Sequence, residues 1–231
     1  MSKLGEMARL TQRGWRVALV VGAVVVGTFP WNSAPYGLAG VVPILIWCLL
    51  AGSARDGVVT GLILLTLLAY FVVPRGLGFS GPLVPSAIEV CWLYPMVAAV
   101  VCLIAMPRER GLTASSLGLV AMVGAGLLIT AVVLFDQLED MPGGESVLPG
   151  PSELRTAEMD GHCGSGNCAR EVVLIGDRAP ELVREHLESR GFTAHTPQRM
   201  CRTTGLVFTH EVCAESTTVT PDRVAVVWYV N

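Results

Sequence analysis

The chain has 231 residues, of which 52% are hydrophobic and only 15% charged, whereas an ordinary soluble domain is about a quarter charged. That composition excludes a conventional soluble globular protein and points to an integral membrane protein. The net charge of −3 hides an asymmetry: residues 1–135 carry 8 Lys/Arg and 4 Asp/Glu, residues 136–231 carry 8 and 15, and an acidic second part argues against a nucleic-acid partner.

Residues 1–16 form a short basic leader with Lys3, Arg9, Arg13 and Arg16, followed by an apolar run over 17–31. A secretory signal peptide looks similar, but the one small-residue cleavage candidate, Ala34, is followed by Pro35. An uncleaved first span with a cytoplasmic N-terminus is therefore expected. The second run, 37–52, is short and contains Pro43, which removes a backbone hydrogen bond and kinks a helix. A turn with Arg55 and Asp56 leads to the third run, 58–73. Arg75 and the Gly/Pro-rich PRGLGFSGPLVP then make an outer loop.

The fourth run, 86–106, carries Glu89, Cys91, Trp92, Tyr94 and Pro95, and Pro107, Arg108 and Arg110 follow it. The fifth, 115–135, has no charge and is followed by Asp136, Glu139 and Asp140. A helix of about 20 apolar residues crosses the roughly 30 Å hydrocarbon core. Basic residues precede span one, join two to three and join four to five, so the positive-inside tendency predicts five spans, the N-terminus in the cytoplasm and the C-terminus outside. Trp31, Trp47, Trp92 and Tyr94 suit an interfacial belt or packed helices. Ala18 with Gly22, Ala23 with Gly27 and Ala121 with Ala125 are small residues four apart that permit close helix contact.

The stretch 136–161 is acidic and rich in Gly and Pro and reads as a linker. Residues 162–231 read as a small disulfide-stabilised α+β domain outside the membrane. EVVLIG, 171–176, is a strand; Asp177 and Pro180 open a helix whose Leu182, Val183, His186 and Leu187 share one face, and Gly191 ends it. A short edge strand is expected at 192–195 and two more strands at 205–215 and 223–230, joined through Pro221 and Asp222. The last strand, VAVVWYV, is apolar on both sides. One helix covers one sheet face, so a face of this strand is expected to meet a partner, and Val224, Val226, Trp228 and Val230 are the candidate interaction face.

Cys48, Cys91 and Cys102 fall in apolar runs, where a lone thiol behaves as a small hydrophobe. Cys163, Cys168, Cys201 and Cys213 all follow the last span, and an even number on an oxidising side reads as a disulfide framework. Each of the pairs Cys163–Cys168 and Cys201–Cys213 closes a short loop. HCGSGNC is a poor redox centre, having four residues between its cysteines, and the spacing of the cysteines with His162, His195 and His210 matches no paired zinc pattern, so no metal and no cofactor is expected. Cys163 also stands where Gly164–Ser165–Gly166 would need a glycine for a nucleophile elbow. Glu89 is an ionisable group in a span, with Arg75 as its nearest cation in the preceding loop; placed one turn into its helix, its carboxylate is also stabilised by the helix end.

The expected protein is thus a non-enzymatic, multi-pass protein of the plasma membrane, a lipid-embedded accessory subunit presenting an interaction or sensory domain that meets a protein partner or a second copy. The alternatives are an ion-coupled transporter using Glu89, and an extracytoplasmic thiol or metal protein. Lys3 is the only lysine, a bias that fits a bacterial host with a GC-rich genome.

Overall fold

The computed structural model describes residues 3–29, 34–106, 112–139, 143–164 and 168–231. Trp31, Pro107, Arg108, Arg110, Asp140, Ser165 and Gly166 lie outside the described residues. The chain divides into two units, Met1–Val73 with Ala87–Val133, and Pro74–Ser86 with Leu134–Asn231.

The first unit is helical: α1 (Lys3–Gly27), α2 (Ala34–Ala39), α3 (Val41–Leu50), α4 (Ala54–Gly76), α5 (Ala87–Ala105) and α6 (Leu112–Glu139). Among the described residues, three helical stretches are long and apolar enough to cross a membrane, Ala54–Gly76, Ala87–Ala105 and Ser116–Phe135. The other two apolar stretches, Gly14–Gly27 and Tyr36–Leu50, have at most 17 residues; each extends about 25 Å or less, short of the hydrocarbon core. The second run is broken into α2 and α3 at Gly40, where Pro43 cannot donate to the carbonyl four residues earlier.

Side chains fix where these helices meet. Ser53 opens α4: its Oγ accepts from the Asp56 amide at 3.1 Å and donates to the Asp56 carboxylate at 2.7 Å, a reciprocal cap. The Trp47 indole donates to the Gly57 carbonyl at 3.0 Å and the Tyr94 hydroxyl to the Leu64 carbonyl at 3.2 Å. On α6 the close contact runs along Gly118, Met122 and Gly126: a methyl at Gly126 would come 2.6 Å from the Cys91 carbonyl oxygen, and Met122 is fully buried. The expected pair Ala121 and Ala125 lies off this stripe, with Ala121 exposed.

The second unit is a six-stranded antiparallel sheet with one helix. Its elements are β1 (Arg155–Cys163), β2 (Cys168–Ile175), α7 (Ala179–Ser189), β3 (Thr193–Ala194), β4 (Arg199–Thr204), β5 (His210–Thr220) and β6 (Arg223–Val230), in sheet order β1-β2-β6-β5-β4-β3. The chain leaves β2, crosses through α7 to the far edge, and returns by hairpins until β6 closes the gap beside β2. Ala179, Val183 and Leu187 of α7 pack on Val172, Leu174, Val212, Val224, Val226 and Trp228. The helix ends as its sequence predicts: Gly191 takes φ +84°, its amide donates to the Glu188 carbonyl and that of Phe192 to the Leu187 carbonyl, both at 3.0 Å, a Schellman stop.

Four expectations are corrected. Residues 136–161 are not a linker: α6 runs through Glu139 and β1 begins at Arg155. Between them Val147 and Leu154 are core residues, and the Trp228 indole donates to the Gly143 carbonyl at 2.8 Å. The strand expected at 205–215 is displaced: β4 ends at Thr204, β5 starts at His210, and the apolar Leu206–Val207–Phe208 forms the loop between them. The N-cap of α7 is Arg178 rather than Asp177. The candidate interaction face is itself the core, since Val224, Val226 and Trp228 are at most 1% exposed and Val230 packs beside them.

Candidate functional site

β4 alternates Met200, Arg202 and Thr204 onto the helix-covered face of the sheet, all three buried. A guanidinium there must find acceptors, because an unpaired buried charge costs several kcal/mol. Arg202 Nη1 donates to Ser146 Oγ at 2.7 Å, and Nη2 donates to the Arg75 carbonyl at 2.9 Å and the Phe79 carbonyl at 3.4 Å. Arg75 lies in the last turn of α4, where carbonyls lack helical donors and the dipole favours a cation. One side chain of the sheet therefore holds the end of a membrane-type helix, the loop after it, and the segment leading into β1.

That segment supplies the counter-charge. Glu145 and Ser146 both take left-handed backbone conformations, φ +41° and +67°, sparsely populated for residues with a Cβ. The strain places Ser146 Oγ on Arg202, and the Glu145 carboxylate 3.5 Å from His210 Nε2. Burial pushes the Glu145 carboxyl up, but the His210 hydrogen bond and the charges of His210, Arg75 and Arg202 outweigh it and hold the group below its ordinary value. Burial and the neighbouring Arg75 charge bring Arg202 down to about 10, partly offset by Glu145, so it stays a cation at neutral pH.

The 74–86 segment is stitched to the sheet at further points. The Gly81 amide donates to the Thr203 carbonyl and the Gly205 amide to the Val84 carbonyl, both at 2.7 Å. Gly78, at φ +81°, lies backbone to backbone against Gly191, a close approach that a Cβ on either residue would block.

The four cysteines of the sheet unit form two disulfides, Cys163–Cys168 and Cys201–Cys213. The first closes the β1–β2 hairpin and Cys163 is exposed; the second joins directly opposed residues of β4 and β5 and is buried. Among the described residues, His195, Cys201 and Glu211 are close enough to suggest a metal site, but the Cys201 sulfur is committed to its disulfide. One imidazole and one carboxylate remain, two short of a tetrahedral set.

The open side of the sheet is neither bare nor apolar. Arg199 lies over the Tyr229 ring at 5.6 Å, donates to Cys213 Sγ at 3.3 Å and pairs with Glu215 at 4.0 Å. The Tyr229 hydroxyl donates to Glu215 at 3.1 Å, and Asn231 to Glu211 at 2.9 Å. Ala225 and Val227, on the same strand as Tyr229, are half-buried.

Glu89 is fully buried in the first turn of α5, three residues after Ser86, the spacing of a capping box. Arg75 belongs to the other unit, beside Arg202 and Glu145. Sequence reading did not single out Arg202, Glu145 or Ser146. The usable signal for Arg202 is a charged residue at a core-facing position of a strand, legible only once β4 is in register. No family model, curated protein or solved structure matches the chain.

Proposed function

We propose that this is a non-enzymatic multi-pass protein of the plasma membrane that crosses five times, the shorter stretches Gly14–Gly27 and Tyr36–Leu50 crossing together with their flanking residues, with a cytoplasmic N-terminus and an extracytoplasmic C-terminal unit acting as an interaction or sensory module of a membrane complex. The observation that carries the reading is the Arg202 clamp. An outer domain that only needed tethering would require no more than a flexible connection, whereas this one is bonded to the segment joining α4 to α5 through Arg202, Gly81 and Gly205. The charged open face around Arg199, Glu215 and Tyr229 is the surface offered to a protein partner.

The test is site-specific photo-crosslinking in intact cells from Val227 and Glu171, on the open face, with Val219 in the distal part of β5 as reference. A discrete adduct from the open face, absent from Val219, supports the reading. Monomer alone from every open-face position contradicts it. A second reading, an ion-coupled carrier, is favoured by one observation, the complete burial of Glu89 among apolar helices. Both disulfides weigh against the thiol and metal alternatives.

A further inference from the structure

Two loops of the outer unit carry large apolar side chains outward. Leu77, Phe79 and Leu83 in the 74–86 segment are 59%, 58% and 76% exposed, and Val207 and Phe208 in the β4–β5 loop are 56% and 66% exposed. The loops are bonded side by side through Gly81 to Thr203 and Gly205 to Val84. Water-facing loops do not ordinarily collect such residues, and exposed apolar clusters mark protein or membrane contacts.

Chain continuity decides between those two. The 74–86 segment runs directly from α4 into α5, both apolar enough to cross a membrane. Ten residues, 77–86, must leave one helix end and return to the next; at about 3.4 Å per residue the segment rises at most about 17 Å from those ends. Its exposed Leu and Phe side chains are thus confined to the zone next to the bilayer surface, within reach of the headgroups, and the β4–β5 loop bonded to it is held beside them. A second copy or a soluble partner would have to reach the patch through that zone.

We infer that Leu77, Phe79, Leu83, Val207 and Phe208 form a lipid-contact surface that seats the outer sheet on the bilayer, inserted at the boundary between headgroups and acyl chains. This rests on α4 and α5 being membrane spans, the reading proposed above. The Arg202 clamp then has a second consequence: it fixes the two loops at one height, so that they enter together. Phe and Leu on a rigid loop pair bind an interface by burying apolar area without any headgroup specificity.

The test uses the full chain in vesicles of a zwitterionic phosphatidylcholine. Single variants Phe79→Cys, Phe208→Cys, Val219→Cys and Leu127→Cys are labelled with an environment-sensitive fluorophore. The introduced thiol is the reactive one, since Cys48, Cys91 and Cys102 are buried and the other four cysteines are disulfide-bonded. Val219, 56% exposed, stands about 30 Å along β5 from the β4–β5 loop. Leu127, 51% exposed on α6, reports the spans.

Lipids bearing a nitroxide high on the acyl chain should quench positions 79 and 208 about twofold or more, as expected for residues inserted 5–10 Å, and leave 219 unchanged. Quenching at 127 but not at 79 and 208 overturns the inference and leaves the spans standing. Shielding of 79 and 208 from an aqueous quencher without lipid quenching overturns it in favour of a second copy. Equal quenching at 219 overturns it too, because the patch would then have no special place. Absence of quenching at 127 overturns the membrane reading itself.

Discussion

Arg202 Nη2 donates to the carbonyl oxygen of Arg75 at 2.9 Å, joining residues 127 positions apart in the chain. The bond links strand β4, on the helix-covered face of the sheet, to the last turn of α4, and with it a loop that sequence reading treats as a mere connection becomes part of a folded unit.

Replacing Arg202 with Met should lower the stability of the sheet unit by about 3 kcal/mol, because Ser146 and two carbonyls lose their donor, and the Glu145 carboxylate a neighbouring positive charge, in a buried place. Pulse proteolysis of the full chain in detergent, reading cleavage within residues 143–231, measures it. Arg202→Lys should recover only part, since an ammonium cannot match a planar fork. A Met variant as stable as the parent would mean that the clamp is incidental.

Acid should weaken the sheet unit in two windows. Burial and Arg190 hold His186 below its ordinary 6.5, and the cluster around Glu145 holds it below its ordinary 4.5. For a group whose folded pKa is depressed, the unfolded chain binds the extra proton, so stability is complete above the unfolded value and is lost as pH falls through the folded one. Urea midpoints should decline below pH 6.5 and again below 4.5. His186→Gln should flatten the first decline and Glu145→Gln the second; stability that rises on acidification would contradict both assignments.

The disulfides should differ in reach. Cys163 is exposed at a hairpin end, whereas Cys201 and Cys213 are 2% and 0% exposed. Mild reductant should open Cys163–Cys168 under native conditions, and Cys201–Cys213 only with denaturant, because thiol exchange needs access to a sulfur. Mass mapping after timed alkylation reads the order, and equal rates would show that β4 and β5 separate readily.

Gly191→Ala should cost about 1–2 kcal/mol for the left-handed backbone alone, and more because a Cβ there strikes the Gly78 backbone. Gly124→Ala, on α6 with nothing within 4 Å, should be neutral or slightly stabilising. If Gly191→Ala is equally silent in thermal unfolding, the stitching of the 74–86 segment to α7 is not a source of stability.

What the sequence made legible follows the hydrophobic pattern. EVVLI, 171–175, and VAVVWYV lie within β2 and β6 because their apolar runs are bounded by charge and turn residues, and Gly191 stops α7 because only glycine enters that conformation freely. β1, RTAEMDGHC, was hidden because an edge strand exposed on both sides shows no alternation, and β4 because its core-facing Arg202 breaks the pattern that marks a strand. Leu206–Val207–Phe208 misled in the opposite sense, being apolar for a reason other than a sheet core. Glu145 and Ser146 could not be recognised, since their placement depends on backbone angles that no sequence period reports. In the helical unit, Pro43 marks the weak run, which is broken into α2 and α3 at Gly40, and Tyr36–Leu50 is shorter than the three long apolar stretches.

The central claim is that the sheet unit lies outside the cell, knit to the segment between α4 and α5. Intact cells treated with a membrane-impermeant thiol reagent, before and after mild reduction, test it most directly. The account predicts no labelling before reduction and labelling at Cys163 and Cys168 after it. Labelling at those two cysteines only after lysis would put the unit in the cytoplasm and contradict the account.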